Sequence, residues 1–293
     1  MYESHFGFTE LPFSLTPDTD FFLSQDSHKE ALNTILVALK HCEGFIKVVG
    51  EVGTGKTLLS RILLARLNPD FVTAYIPNPY LTADELKSFV AQEVGANIDK
   101  TMASHELMSA LYRRLIQHCR SGKQVVLIID EAQAMPRDTV ECLRLLTNLE
   151  TEKRKLLQVV ILGQPELDVM LKRPDLRQLK QRIVFSEYLK PLSLHAASRY
   201  IHHRLDWASE QEPPKFSRNA IRLVCFASGG IPRLLNILSH KALICAYGRG
   251  DVSISLWHAA RAIRDTSESR SFGAMLSAFI GSRWFAPSRR VAA

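Results

Sequence analysis

The chain has 293 residues, 46% of them hydrophobic and 23% charged, with a formal net charge of +7. These are the proportions of a globular protein with room for about two domains. No stretch approaches the roughly 18 apolar residues of a membrane span. The opening Met1-Tyr2-Glu3-Ser4-His5 lacks a secretory pattern, and five cysteines without a C-x-x-C spacing argue against disulfides or zinc. A cytoplasmic protein with reduced thiols is expected.

The basic surplus is uneven. Residues 1–190 carry 23 Lys/Arg and 24 Asp/Glu, residues 191–265 carry 10 and 5, and residues 266–293 carry 4 and 1. Such asymmetry suits either a solvated basic surface with arginines aimed at phosphates, or a phosphate-rich partner such as nucleic acid or an anionic membrane.

In chain order, residues 1–26 read as an irregular lead-in, because Pro12 and Pro17 interrupt any helix. Phe6, Phe8 and Phe13 in it have two open placements, beside an adenine ring or sealing a sheet edge. Residues 27–40 carry apolar side chains at helical spacing behind Ser27, a candidate N-cap. Five short apolar runs follow: Phe45–Val49, Val72–Ile76, Gln124–Ile129, Leu157–Leu162 and Ile183–Phe185. Helical patterns near 56–67, 82–94, 103–120 and 138–149 separate them. Short Val/Ile-rich runs alternating with helices predict a doubly wound parallel sheet, an α/β domain over residues 27–190. From 191 to 265 the pattern is all helical, at 195–208, 217–228, 232–247 and 255–264, which predicts a small second domain. His202-His203 lies within one of these helices, where adjacent side chains diverge, so no metal pair is expected.

Between the first run and its helix stands Gly50-Glu51-Val52-Gly53-Thr54-Gly55-Lys56-Thr57, a full G-x-x-x-x-G-K-[ST] motif in strand-to-helix context. Glycines let the backbone curl so that its N–H groups converge on phosphates, and the helix N-terminus adds its dipole. Residues Gly50 to Leu58 are therefore candidates to hold ATP. Lys56 would reach the β- and γ-phosphates, and the Thr57 hydroxyl would ligate Mg²⁺. About 75 residues later the run Val125–Ile129 ends in Asp130-Glu131. A buried strand carries both carboxylates to the ligand-binding edge of such a sheet. Asp130 suits the metal shell and Glu131 the attacking water.

Several further blocks accompany these: Tyr2 with Phe6-Gly7, Leu11-Pro12-Phe13-Ser14-Leu15-Thr16-Pro17-Asp18, Asp130-Glu131-Ala132-Gln133, and Leu143-Arg144-Leu145-Leu146-Thr147-Asn148-Leu149-Glu150. Gly163-Gln164-Pro165-Glu166-Leu167, Leu179-Lys180-Gln181-Arg182-Ile183 and Gly229-Gly230-Ile231-Pro232-Arg233 complete the set. Together, over about residues 1–265, the chain resembles the AAA+ ATPases of the ExeA/GspA family, which serve secretion and pilus assembly.

The resemblance implies an AAA+ core with a helical lid that hydrolyses ATP as a homo-oligomer. Its partners would be assembly proteins of an MSHA-type pilus or related secretion system at the inner membrane. It also implies roles for three more residues. Gln164 stands at the sensor-1 position, where Asn, Ser or Thr is commoner. Arg182 matches the arginine-finger region, with Arg177 as rival. Arg233 matches the sensor-2 arginine, and a cation in a helix's first turn, against the dipole, suits an anionic partner. Many family members continue into a transmembrane helix and a peptidoglycan-binding region; the sequence ends at Ala293, and no cell-wall role is expected. The alternative of a different class is an ATP-dependent DNA-binding protein of the transposition or replication-loader type.

Residues 266–293 read as a linker and a tail. Phe272, Met275, Leu276, Phe279 and Ile280 form an apolar stripe followed by Arg283-Trp284, Arg289 and Arg290. An anionic membrane surface, a partner's groove and the lid itself are all compatible with that stripe.

Overall fold

The computed structural model describes residues 2–16, 26–67, 69–99, 102–152, 154–210 and 212–269. The tail from Phe272 to Arg290 lies outside them. The chain divides into two compact units, Ser24–Lys190 and Met1–Leu23 with Pro191–Ala293. A four-residue helix, α1 (Glu3–Phe6), opens the chain and belongs to the second of these.

The first unit runs α2 (Asp26–Lys40), β1 (Phe45–Gly50), α3 (Lys56–Arg66), β2 (Phe71–Ile76), α4 (Ala83–Glu93), α5 (Ser104–Arg120), β3 (Gln124–Ile129), α6 (Arg137–Leu146), β4 (Gln158–Gly163), α7 (Pro165–Leu171), α8 (Arg177–Lys180) and β5 (Phe185–Leu189). The five strands form one parallel sheet in the order β2-β3-β4-β1-β5. Phe45 pairs with Val159 and Gly50 with Leu189, so the carboxyl ends of β1, β4 and β5 share one edge. All of β1 and β4 is buried, as strands covered on both faces require.

Three local expectations are corrected. Ser27 does not cap α2, because the helix already includes Asp26. The helix expected to reach residue 149 stops at Leu146. Leu156 donates its N–H to the Leu149 carbonyl at 2.9 Å, and Glu150 bridges Lys155, so a turn claims those backbone groups. The last strand is Phe185–Leu189 and not Ile183–Phe185. It is a sheet edge whose first four residues alternate between half-buried and exposed before the buried Leu189, so its pattern is not a continuous apolar run.

The second unit packs α1 with α9 (Leu194–Trp207), α10 (Arg218–Ala227), α11 (Pro232–Tyr247) and α12 (Leu256–Arg264). Ser193 and Ser217 cap α9 and α10, accepting from the backbone N–H of Ala196 and Ala220 at 3.2 Å each. Gly230 sits at φ +77°, and a Cβ there would lie 2.0 Å from the Leu192 carbonyl oxygen. The same approach lets Leu192 N–H donate to the Gly230 carbonyl at 2.8 Å, setting the chain's entry into α11.

The lead-in is built into this helical unit. Tyr2, Phe6, Phe8 and Phe13 are buried among side chains of α9 to α12. The buried Arg204 guanidinium donates to the Pro12 carbonyl at 2.5 Å and to the Tyr200 hydroxyl at 2.8 Å. Asn236 donates to the Ser14 carbonyl at 3.3 Å, and the Tyr2 hydroxyl lies 2.8 Å from His240 Nδ1. The phenylalanines thus form helical core. The lead-in expected to be wholly irregular thus begins with the short helix α1, ended by Gly7 at φ +71°, and the stretch around Pro12 that follows is held by side chains from α9 and α11.

Candidate active site

The edge where β1, β3 and β4 end collects most of the residues singled out in the sequence. Gly50 closes β1, and a Cβ on it would lie 2.6 Å from Thr54 Oγ1 and 3.0 Å from Leu189 Cβ. Gly53 and Gly55 take φ of +78° and +99°, the left-handed region that glycine enters without steric cost. The loop is tied internally, with Thr54 Oγ1 donating to the Glu51 carbonyl at 2.8 Å. No side chain caps α3, so the first-turn N–H groups around Lys56, Thr57 and Leu58 stay available to an anion.

Lys56 is buried and donates to the carbonyls of Gly50 at 2.9 Å and Glu51 at 3.1 Å. Burial pushes its ammonium below the usual range, while the carboxylates of Glu131, Asp130 and Glu51 push it back up. The Thr57 hydroxyl donates to Asp130 Oδ2 at 2.7 Å, and Asp130 Oδ1 accepts the Glu131 N–H at 2.9 Å. Burial raises the Asp130 carboxyl, against the pull of these two hydrogen bonds. Thr57 and Asp130 thus set two hard oxygens side by side, a donor set that fits Mg²⁺.

Glu131 follows with φ +50°, a left-handed backbone rare for a residue with a side chain. Its Oε2 accepts from Gln164 Nε2 at 2.9 Å and from Gln133 Nε2 at 2.5 Å. Sequence reasoning singled out Gln164 but gave Gln133 no role, although it stands two places after the acidic pair. It also missed His28 on α2. That buried imidazole lies 2.9 Å from the Thr54 carbonyl of the loop, and burial pushes its pKa down, leaving a neutral ring whose Nε2–H donates.

The structure does not bring Arg182 to this edge. Arg182 precedes β5, at the amino end of the sheet, and its Nη1 donates to Thr147 Oγ1 at 2.9 Å. Arg177, its rival, is exposed in α8. Arg233 is exposed in the first turn of α11, within the helical unit.

Residues 40–171 match a family model described as AAA domain. The chain is 42% identical, over 254 residues, to General secretion pathway protein A of Aeromonas hydrophila, covering 87% of this chain and 46% of that protein. The chain therefore spans less than half the length of this relative. Among solved structures, the Aeropyrum pernix ORC2 protein aligns with a TM-score of 0.67 at 16% identity, over 92% of this chain and 75% of that one. The Cdc6p protein of Pyrobaculum aerophilum gives 0.66 at 17% identity, over 83% and 67%. The RuvB Holliday junction branch migration motor of Thermotoga maritima gives 0.58 at 14%, over 94% and 81%. At these identities the likeness concerns the fold alone. With its five-stranded parallel sheet, its glycine-rich loop between β1 and α3 and the helical region after the sheet, the chain has the P-loop AAA fold.

Proposed function

We propose that the chain binds Mg²⁺–ATP and hydrolyses it, as an AAA+ ATPase of the ExeA/GspA family. The observation that carries this reading is the 2.7 Å contact of the Thr57 hydroxyl with Asp130, with Glu131 next in sequence. In this reading the loop from Gly50 to Leu58 cradles the phosphates and Lys56 turns from the carbonyls of Gly50 and Glu51 to the β- and γ-oxygens. Thr57 and Asp130 hold Mg²⁺, directly or through water. The metal, when bound, neutralises charge developing on the phosphate oxygens. Glu131 orients the attacking water and takes its proton. Gln164 positions Glu131 or the γ-phosphate.

The biological setting we infer is assembly or regulation of a secretion system, with an MSHA-type pilus as the specific case, at the cytoplasmic face of the inner membrane. Support comes from the 42% identity to General secretion pathway protein A over most of this chain. That level outweighs the structural likeness to the ORC2, Cdc6p and RuvB proteins, at 14–17% identity, which supports the DNA-binding alternative only through the fold. Arg182 acting on a neighbour's nucleotide makes the active form a homo-oligomer.

The test combines two variants. Lys56→Ala should abolish binding of a fluorescent ATP analogue, whereas Glu131→Gln should bind it and lose hydrolysis. Hydrolysis by Glu131→Gln at the wild-type rate would remove the assignment of the water-activating residue. Proteins captured by the Glu131→Gln trap test the setting: pilus or secretion components support it, and recovered DNA-processing proteins overturn it.

A further inference from the structure

We propose that Gln133 is a positioning residue that fixes the Glu131 carboxylate and ties it to the end of β4. The inference rests on the reading of Glu131 given above. Both ends of the Gln133 amide are used. Its Oε1 accepts the backbone N–H of Gln164 at 3.0 Å, and its Nε2 donates to Glu131 Oε2 at 2.5 Å. The orientation of the amide follows from the first bond, because a backbone N–H can be met only by the carbonyl oxygen. The NH₂ group must then face Glu131.

Three features show that the bridge is built. Glu131 has its left-handed backbone at φ +50°, a conformation that persists only where the surroundings hold it. The second amide on Oε2 comes from Gln164, so two donors from different segments converge on one oxygen. Gly163 makes room: a Cβ there would lie 3.0 Å from Gln133 Oε1 and 2.7 Å from Leu167 Cδ2. With Oε2 held, Oε1 is the oxygen left to meet water. A neutral side chain is needed that both accepts the Gln164 N–H and donates to Glu131, as the Gln133 amide does. A carboxylate would set like charge against Glu131.

Two variants separate positioning from scaffolding. Gln133→Glu is isosteric and still accepts the Gln164 N–H, but it faces Glu131 with a carboxylate. Gln133→Ala loses both bonds. Both should lower the maximal ATPase rate at least tenfold while the dissociation constant for a fluorescent ATP analogue stays within about twofold. A scaffold that only links the strands would leave Gln133→Glu near the wild-type rate, and that result overturns the proposal. A readout free of nucleotide checks the contact. The Gln133 side-chain amide resonances, assigned by their loss in Gln133→Ala, should move in the ¹⁵N–¹H spectrum when Glu131 is changed to Ala. Resonances that stay in place also overturn it. Absence of ATP turnover in the wild type would instead remove the hydrolytic reading, while the amide resonances still decide the contact.

Discussion

Thr57 and Asp130 stand 73 positions apart in the chain and 2.7 Å apart in the structure, hydroxyl to carboxylate. The carboxylate is buried, and burial raises its pKa, which means the folded chain is destabilised by that charge. Asp130→Asn should therefore raise the melting temperature of the nucleotide-free protein, by the few degrees typical of a single stabilising substitution. The same variant should lose the Mg²⁺-dependent part of nucleotide affinity. Thermal unfolding with and without Mg²⁺–ATP checks both; a lower melting temperature would show that the two hydrogen bonds outweigh the buried charge.

Arg182 lies at the opposite end of the sheet from its own phosphate loop. If Arg182 acts on a neighbour's nucleotide, as proposed, specific ATPase activity should rise with protein concentration. Neither Arg182→Ala nor Lys56→Ala should turn over alone, and mixing them should restore part of the activity, an arginine finger being worth about 10³–10⁵ in rate. Concentration-independent turnover with no rescue would assign Arg182 to its bond with Thr147 alone.

At Gly230, alanine meets both a positive φ and a carbonyl oxygen at 2.0 Å. Gly230→Ala should cost the helical unit about 2–4 kcal/mol in urea denaturation. Gly250 has a similar φ of +74°, but a methyl added there would find nothing within 4 Å, so Gly250→Ala should cost only about 1 kcal/mol. Equal costs would mean that backbone strain alone matters at both sites.

Burial pushes the Cys142 thiol to about 11 and the Cys225 thiol to about 12. Both should resist a disulfide reagent at pH 8 in the native protein and react after unfolding. Each folded pKa lies above its unfolded value, so the unfolded chain loses these protons first. The stability they contribute is full below about pH 8.5 and falls as pH rises toward 11–12. Urea midpoints at about pH 8 and about pH 10 should show the drop, and Cys225→Ala should lessen it.

Much of this was legible in the residues because burial on both faces writes a simple pattern. β1 and β3 are apolar runs that end in the phosphate loop and in Asp130-Glu131, and the structure places the strands there. β5 was not legible in the same way, since an edge strand half open to solvent alternates and its apolar neighbours Ile183 and Val184 lie outside it. Within the site, the loop and the acidic pair are contiguous motifs, whereas His28 reaches Thr54 across 26 positions and Gln133 meets Gln164 across 31. Contacts of that kind depend on how α2 and the end of β4 come to rest, which local periodicity does not encode. The lead-in reads as irregular, yet Glu3–Phe6 forms the short helix α1, and the partners of its aromatic residues on α9 and α11 lie far along the chain.

That separation matters during synthesis. Pro12 and the Arg204 that holds it are 192 positions apart. At about 5–20 residues per second, the ribosome takes roughly 10–40 s to make the second after the first. For that interval Tyr2, Phe6, Phe8 and Phe13 have emerged without the helices that bury them, while the whole of Ser24–Lys190 is being completed. Residues made before the α/β unit are thus folded after it, and a nascent chain carries an exposed aromatic cluster that a chaperone can hold until α9 and α11 arrive.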